Sequence, residues 1–237
     1  MKIIDINQSD VKKISKDAVV LLPLGAVEVH GEHLPLGTDY FLATELCNRL
    51  EQRMGYNKAI ILPPIPYGQV WSLGKVPGSI DIPDEILSRF IEYIALGVSQ
   101  MGINKFAVIN AHVGNCSAIK TASRAVSEKT DLKFYSFTYP GSDTVIKQVC
   151  TATMPHKGFF HACEIETSYM LYLCPDKVDM SKAICQYPDF PKEYDYISLR
   201  WSDFMDLAVL GDAKSATEEK GKKIIEAVLD KIEEIID

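Results

Sequence analysis

Three short stretches concentrate the residue types that bind divalent cations and move protons. The first is Gly25-Ala26-Val27-Glu28-Val29-His30-Gly31-Glu32-His33-Leu34-Pro35-Leu36-Gly37-Thr38-Asp39, which leaves the end of an apolar run. Glu28 and His30 are two residues apart, so an extended backbone aims both side chains to the same side. Asp39 arrives after a turn bounded by glycine and proline that can fold it back beside them. Glu, His and Asp together suit a borderline-hard divalent ion such as Zn²⁺, Mn²⁺ or Fe²⁺. The alternative is a polar loop in which Thr38 or Asp39 caps the next helix.

The second stretch, Asn110-Ala111-His112-Val113-Gly114-Asn115, again follows an apolar run. His112 is expected to project from a strand end into the same crevice as Glu28 and His30. Gly114 permits close backbone approach or a positive φ, and Asn115 is placed to cap the helix that follows. The third is His161-Ala162-Cys163-Glu164-Ile165-Glu166. If it is helical, His161 and Glu164 share a face and Glu166 points elsewhere. If its start is extended, Glu164 and Glu166 align instead. Its acids equally suit a helix N-terminus through the macrodipole. His33 is a supporting or structural residue, and His156 is expected at the surface.

The elements that must hold these stretches alternate in type. AVVLLPLG (18–25), KAIILPPI (58–65), KFAVIN (105–110) and LKFYSFT (132–138) have the apolar character of strands covered on both faces. Between them, TDYFLATELCNRLEQRM and IPDEILSRFIEYIALGVSQMG carry helical periodicity, and helix-forming sequence resumes near Ser117. This alternation predicts an α/β fold, a mostly parallel sheet covered by helices on both faces. Ligands of such sheets bind at the carboxyl ends of the strands, where the first two stretches lie. Beyond Pro140 the signals weaken. HACEIETSYMLYL reads as a helix, PDFPKEYDYISLRWSDF as irregular or a subunit contact, and ATEEKGKKIIEAVLDKIEEIID as a C-terminal amphipathic helix. Repeats, low-complexity stretches and linkers are absent, so one domain over 1–237 is expected.

Composition narrows the partners. A net charge of −7 disfavours a nucleic-acid footprint and an anionic membrane surface. No stretch approaches the roughly 20 apolar residues of a membrane span, and the N-terminus lacks the pattern of a signal peptide. The six scattered cysteines form no CxxC pair and suit reduced thiols in a cytoplasmic protein.

Taken in order, LPLGAVEVHGEHLPLGTD, VINAHVGN, HACEIETS and GDAKSATEEKG resemble the signature blocks of the creatininase (creatinine amidohydrolase) family, from about residue 18 to the C-terminus. That resemblance implies a three-layer α/β/α sandwich and two divalent metals, Zn or else Mn or Fe, bridged by Asp39. Glu28 and His112 would complete one site, His30 and a further glutamate the other. The chain departs from creatininase proper, whose members carry an acidic ligand where Gly114 stands and an apolar residue where Glu164 stands. The ligand is therefore assigned to Glu164, with helical phase relative to His161 in its favour. The same exchange resembles branches that hydrolyse formamides in flavin and deazaflavin synthesis or trim a peptide-derived redox cofactor.

The expected reaction is cleavage of an amide C–N bond in a small molecule by a hydroxide bridging the metals. Backbone N–H groups near Gly114 would help stabilise the oxyanion. His161, at the position of the family's proton-transfer histidine, would protonate the leaving amine, with Glu166 orienting it or a ligand. Ser72, with Trp71 and Lys75, occupies the stretch where relatives carry substrate-facing residues. Trp201 and Tyr187 are candidates to close the pocket. Formamide or small-peptide hydrolysis is the nearest alternative, and a non-catalytic metal-binding or assembly subunit the more distant one. The family's habit and the aromatic segment 187–204 predict a homo-oligomer, a hexamer or smaller even assembly.

Overall fold

Apolar on both sides, Val19–Leu24 forms strand β1, buried along its whole length. The computed structural model describes residues 1–55, 57–156 and 159–237. A one-turn helix α1 (Gln8–Val11) precedes β1. Strands β2 (Ala59–Ile61), β3 (Lys105–Asn110) and β4 (Lys133–Phe137) join it in a parallel sheet of order β2-β1-β3-β4. Register places Leu24 opposite Asn110, so β1 and β3 end level with one another.

Alternate side chains of each strand face opposite layers. Val19, Leu21, Ala107 and Ile109 pack in one core with helices α2 (Thr38–Met54), α6 (Glu164–Leu173) and α7 (Glu218–Ile236). Val20, Leu22, Leu24, Phe106 and Val108 pack in the other with α3 (Asp84–Gln100) and α4 (Cys116–Ser127). The result is the three-layer α/β/α sandwich expected. On α2 the buried stripe is Leu42, Leu46 and Leu50, four residues apart. Each such leucine contributes about 1.5–3 kcal/mol on burial, so this stripe, not propensity, fixes the helix against the sheet.

The chain leaves β1 through α2 on one face, then reaches β3 on β1's other side through α3 on the opposite face. The carboxyl ends of β1 and β3 are thus the topological switch point, where a crevice opens. An eight-residue helix α5 (Ser142–Val149) was not anticipated from the sequence; it starts after Gly141, at φ 79°. Residues 188–204 are irregular apart from one 3-10 turn, Trp201–Asp203. They do have an intramolecular role: Phe190, Trp201 and Phe204 pack with Val70, Leu73 and Leu210 beside the crevice. A short antiparallel pair, β5 (Cys185–Gln186) and β6 (Gly211–Asp212), ties the two ends of this region together. Among the described residues, no helix is long and apolar enough to cross a membrane.

Candidate metal centre

Three carboxylates and three imidazoles meet at the switch point, all but His112 almost fully buried. Beyond β1 the chain has no regular secondary structure, and Glu28 and His30 reach the same cluster, as their spacing of two suggests. The turn at residues 31–37 brings Asp39, on the first turn of α2, back against them. Asp39 does not cap α2; Gly37 occupies the N-cap with no side-chain bond. His112, just past β3, sends Nδ1 to 3.1 Å from Glu28 Oε1 and 3.2 Å from Asp39 Oδ2. His30 Nε2 lies 3.5 Å from Asp39 Oδ1. His161 stacks obliquely on His30, ring centroids 4.3 Å apart, with Nδ1 at 3.7 Å from Glu28 Oε1 and 4.0 Å from Glu166 Oε2.

Each imidazole uses one ring nitrogen on a backbone carbonyl. His30 Nδ1 meets Glu28 O at 3.1 Å, His112 Nε2 meets Gln69 O at 2.7 Å, and His161 Nε2 meets Val29 O at 2.7 Å. A carbonyl only accepts, so these nitrogens carry protons, and the opposite ring nitrogens face the carboxylates. That is the arrangement in which histidines present to cations, with the carbonyl fixing tautomer and ring orientation. Asp39 Oδ1, Asp39 Oδ2 and His30 Nε2 are buried with no hydrogen-bond partner. Orphaned polar atoms at such depth are costly, and a cation among them would satisfy all three. Three groups of ligand-type atoms lie close enough to hold a cation: Glu28, Asp39 and His112; His30, Asp39 and Glu166; and Glu28, His30 and His161; the first two share Asp39.

The electrostatics make the same demand for positive charge. Burial would raise Asp39, but His30 and His112 hold it well below the usual carboxylate range. Glu28 is likewise pulled down against burial by His112, His161 and His30. Burial would depress His30, yet Asp39, Glu166 and Glu28 raise it to about 9. Glu166 is pushed up to about 7, by burial first and then by Asp39 and Glu28, against the pull of His30. His161 is driven down to about 4 by burial and by His30, so it is neutral near pH 7.

Glu164, the ligand expected from helical phase, lies outside this cluster. Ala162 adopts φ 49°, in the left-handed region, and Cys163 is extended, so α6 begins only at Glu164. His161 therefore precedes a sharp turn and the three-residue helical spacing does not apply to it. The turn directs Glu164 away from the centre, where it accepts from Ala152 N at 2.8 Å, Thr151 N at 3.0 Å and Lys220 Nζ at 2.5 Å. Glu166 faces the centre instead, its Oε2 accepting the Ala162 N–H at 2.5 Å.

A cavity of about 150 Å³ opens above the cluster. Glu28, His112, His161 and Glu166 form its floor, and Val70, Trp71, Phe159, Phe160 and Trp201 its walls. Ser72 and Gly114, the expected substrate-contacting residues, both line it. A Cβ on Gly114 would fall 2.4 Å from Gln69 O and 2.4 Å from His112 Nε2, so this loop has room for no side chain there. That is why a carboxylate at 114 is incompatible with the present path. His33 is buried behind the cluster and bonds Thr167 Oγ1 at 2.9 Å. His156 stacks on Phe190 and pairs with Asp195, away from the cluster. Gln69 was not foreseen, since it acts through a main-chain carbonyl that no residue type signals. Phe159 and Phe160 had only their proximity to His161 to mark them.

A profile of the creatininase family, creatinine amidohydrolase, matches residues 5–236. The creatinine amidohydrolase of Pseudomonas putida is 28% identical over 241 residues, covering 93% of this chain and 89% of that protein. The mycofactocin precursor peptide peptidase of Mycolicibacterium smegmatis is 26% identical over 212 residues, 87% of this chain and 79% of that protein. A solved creatininase variant of zinc–zinc type superposes with a TM-score of 0.84 at 26% identity, over 99% of this chain and 96% of that one. Fold, clustered ligand-type residues and relatives together define an enzyme of the amidohydrolase class. The chain belongs to the creatininase family.

Proposed function

We propose that this protein hydrolyses the C–N bond of a small amide at a centre of two divalent cations. The observation that carries the reading is the pair of triads sharing Asp39, whose buried oxygens have no other partner. Glu28, Asp39 and His112 hold one ion, and His30, Asp39 and Glu166 the other. Imidazole and carboxylate donors without a thiolate suit Zn²⁺ first, with Mn²⁺ or Fe²⁺ as alternatives. When bound, the ions supply Lewis acidity, polarising a substrate carbonyl and lowering the pKa of water.

The chain's own residues orient the substrate and manage the proton. The aromatic walls exclude water and restrict the amide to an approach over the floor. His161, neutral and anchored through Nε2 on Val29 O, presents Nδ1 toward the floor. Nδ1 takes a proton from the attacking water and delivers it to the departing amine. Glu166 is a ligand in this scheme, and Glu164 has no part in it. The decisive experiment is metal analysis of the purified protein, followed by assay against cyclic amides, formamides and short peptides. Two zinc ions per chain with turnover of a small amide is the expected outcome. A protein that binds no divalent ion after reconstitution would end the proposal.

Small-peptide hydrolysis is the second reading, favoured by likeness to the mycofactocin precursor peptide peptidase. A homo-oligomer, hexameric or a smaller even assembly, belongs to the proposal. Its support is exposed apolar surface at Tyr196 and Ile197, and on α3 at Ile86, Phe90 and Tyr93. Light scattering that returned the monomer mass across a wide concentration range would remove it.

A further inference from the structure

Three loops meet around the Glu28–Asp39–His112 triad, those that carry Glu28, Gln69 and His112, and one buried amide touches all three. Asn115, with no exposed surface, accepts the Gln69 N–H at 2.8 Å through Oδ1. Its Nδ2 donates to Gly25 O at 3.0 Å and to Asn110 Oδ1 at 3.1 Å. An N–H facing the oxygen and two oxygens facing the nitrogen leave only one amide orientation. Gly25 opens the loop that carries Glu28, Gln69 supplies the carbonyl that holds His112 Nε2, and Asn110 brackets His112 itself. The Asn110 side chain accepts His112 N–H at 3.2 Å and donates to His112 O at 2.7 Å. Asn115 makes no capping bond to α4, the role expected from its position in the sequence. Gly68 completes the junction, since a Cβ there would lie 2.5 Å from Asn115 Oδ1 and 2.7 Å from Gly25 O.

We propose that Asn115 is a positioning residue that clamps the loops of Glu28, Gln69 and His112, and so sets the geometry of the Glu28–Asp39–His112 cation site. This rests on the two-cation reading above. His30, Asp39 and Glu166 hang on the β1 loop, α2 and α6, and Asn115 touches the latter two nowhere in its bonding. His112 belongs to the Glu28–Asp39–His112 triad alone, its ring held by Gln69 and its backbone by Asn110, so loss of the clamp weakens that ion selectively. Asn115→Asp keeps the shape but sets carboxylate oxygens against Gly25 O and Asn110 Oδ1, while Asn115→Ala removes the bonds. Gly68→Ala disturbs the same junction without altering Asn115.

The test is competition between the full-length protein and a chelator for zinc alone, resolved into two binding steps, with thermal unfolding of the metal-free forms alongside. The expected result is that one step weakens by about 10- to 100-fold, the size typical for partners behind a ligand. The other step stays unchanged in all three variants, and His112→Ala abolishes any further effect of Asn115→Ala. Both steps unchanged, or both weakened equally, overturns the proposal. So does loss of the fold in all three metal-free variants, which would make the role one of general stability. Failure of the two-cation reading shows separately, as wild-type protein that does not take up two zinc ions.

Discussion

Replacing Glu164 and Glu166 by alanine, one at a time, separates two acids that lie two residues apart and do different work. Glu164 accepts from Ala152 N, from Thr151 N and Oγ1, and from Lys220 Nζ, and is only 2% exposed. Truncation leaves two backbone donors unsatisfied and an ammonium whose remaining bond is to Ser215 O at 2.8 Å. Breaking a buried ion pair from one side costs about 3–5 kcal/mol. Lys220 keeps 19% of its side-chain surface exposed, which lets water compensate in part, so the lower end, about 3 kcal/mol, is expected. For a chain of this size that corresponds to a fall in Tm of about 6–12 °C. Zinc stoichiometry should stay at two per chain. Glu166→Ala should give the reverse: one zinc per chain, with metal-free stability much less affected. Metal content after identical reconstitution and Tm in the presence of chelator are read on both variants. A Glu164→Ala protein that loses a zinc ion while its metal-free Tm stays at the wild-type value would refute the reasoning, and would return Glu164 to the centre.

The same carboxylate sets a pH dependence. Burial would raise Glu164, but Lys220 and the N–H groups of Ala152 and Thr151 lower it below its ordinary value near 4.5. A depressed folded-state pKa stabilises above the unfolded value and loses that contribution as pH falls through the folded one. The stability gap between wild type and Glu164→Gln, followed by urea unfolding, should thus be full near pH 7 and close in acid. Asp39→Ala removes the carboxylate common to both triads, so metal analysis should find both ions lost where Glu28→Ala or Glu166→Ala loses one. His161→Gln should retain both ions and lower kcat by about 10²–10⁴-fold, the usual contribution of a positioned proton donor; loss of an ion in that variant would make His161 a ligand.

The amino-acid order by itself determined the strands, the long helices and most of the residues that meet at the centre. β1 and β3 are apolar on both sides, which only a covered parallel strand tolerates, and α2 and α3 carry stripes whose period admits one structure. Glu28 and His30 were legible as a pair because extended chain has a fixed period of two, and Asp39 because a glycine- and proline-bounded turn must reverse the chain. The choice between Glu164 and Glu166 was not legible, since it depends on one backbone conformation, the left-handed Ala162, which alanine does not announce. Surrounding packing imposes it: Leu210 N donates to His161 O at 2.8 Å from a segment almost fifty residues downstream. Lys220, which claims Glu164, and Gln69, whose carbonyl fixes His112, are likewise remote in sequence. Asn115 shows the same limit from the other side. Its local position is that of a helix cap, but three loops converging on it offer better partners than α4 does. Local periodicity reports what a segment can become, whereas which polar atoms meet is decided only when distant segments close around them.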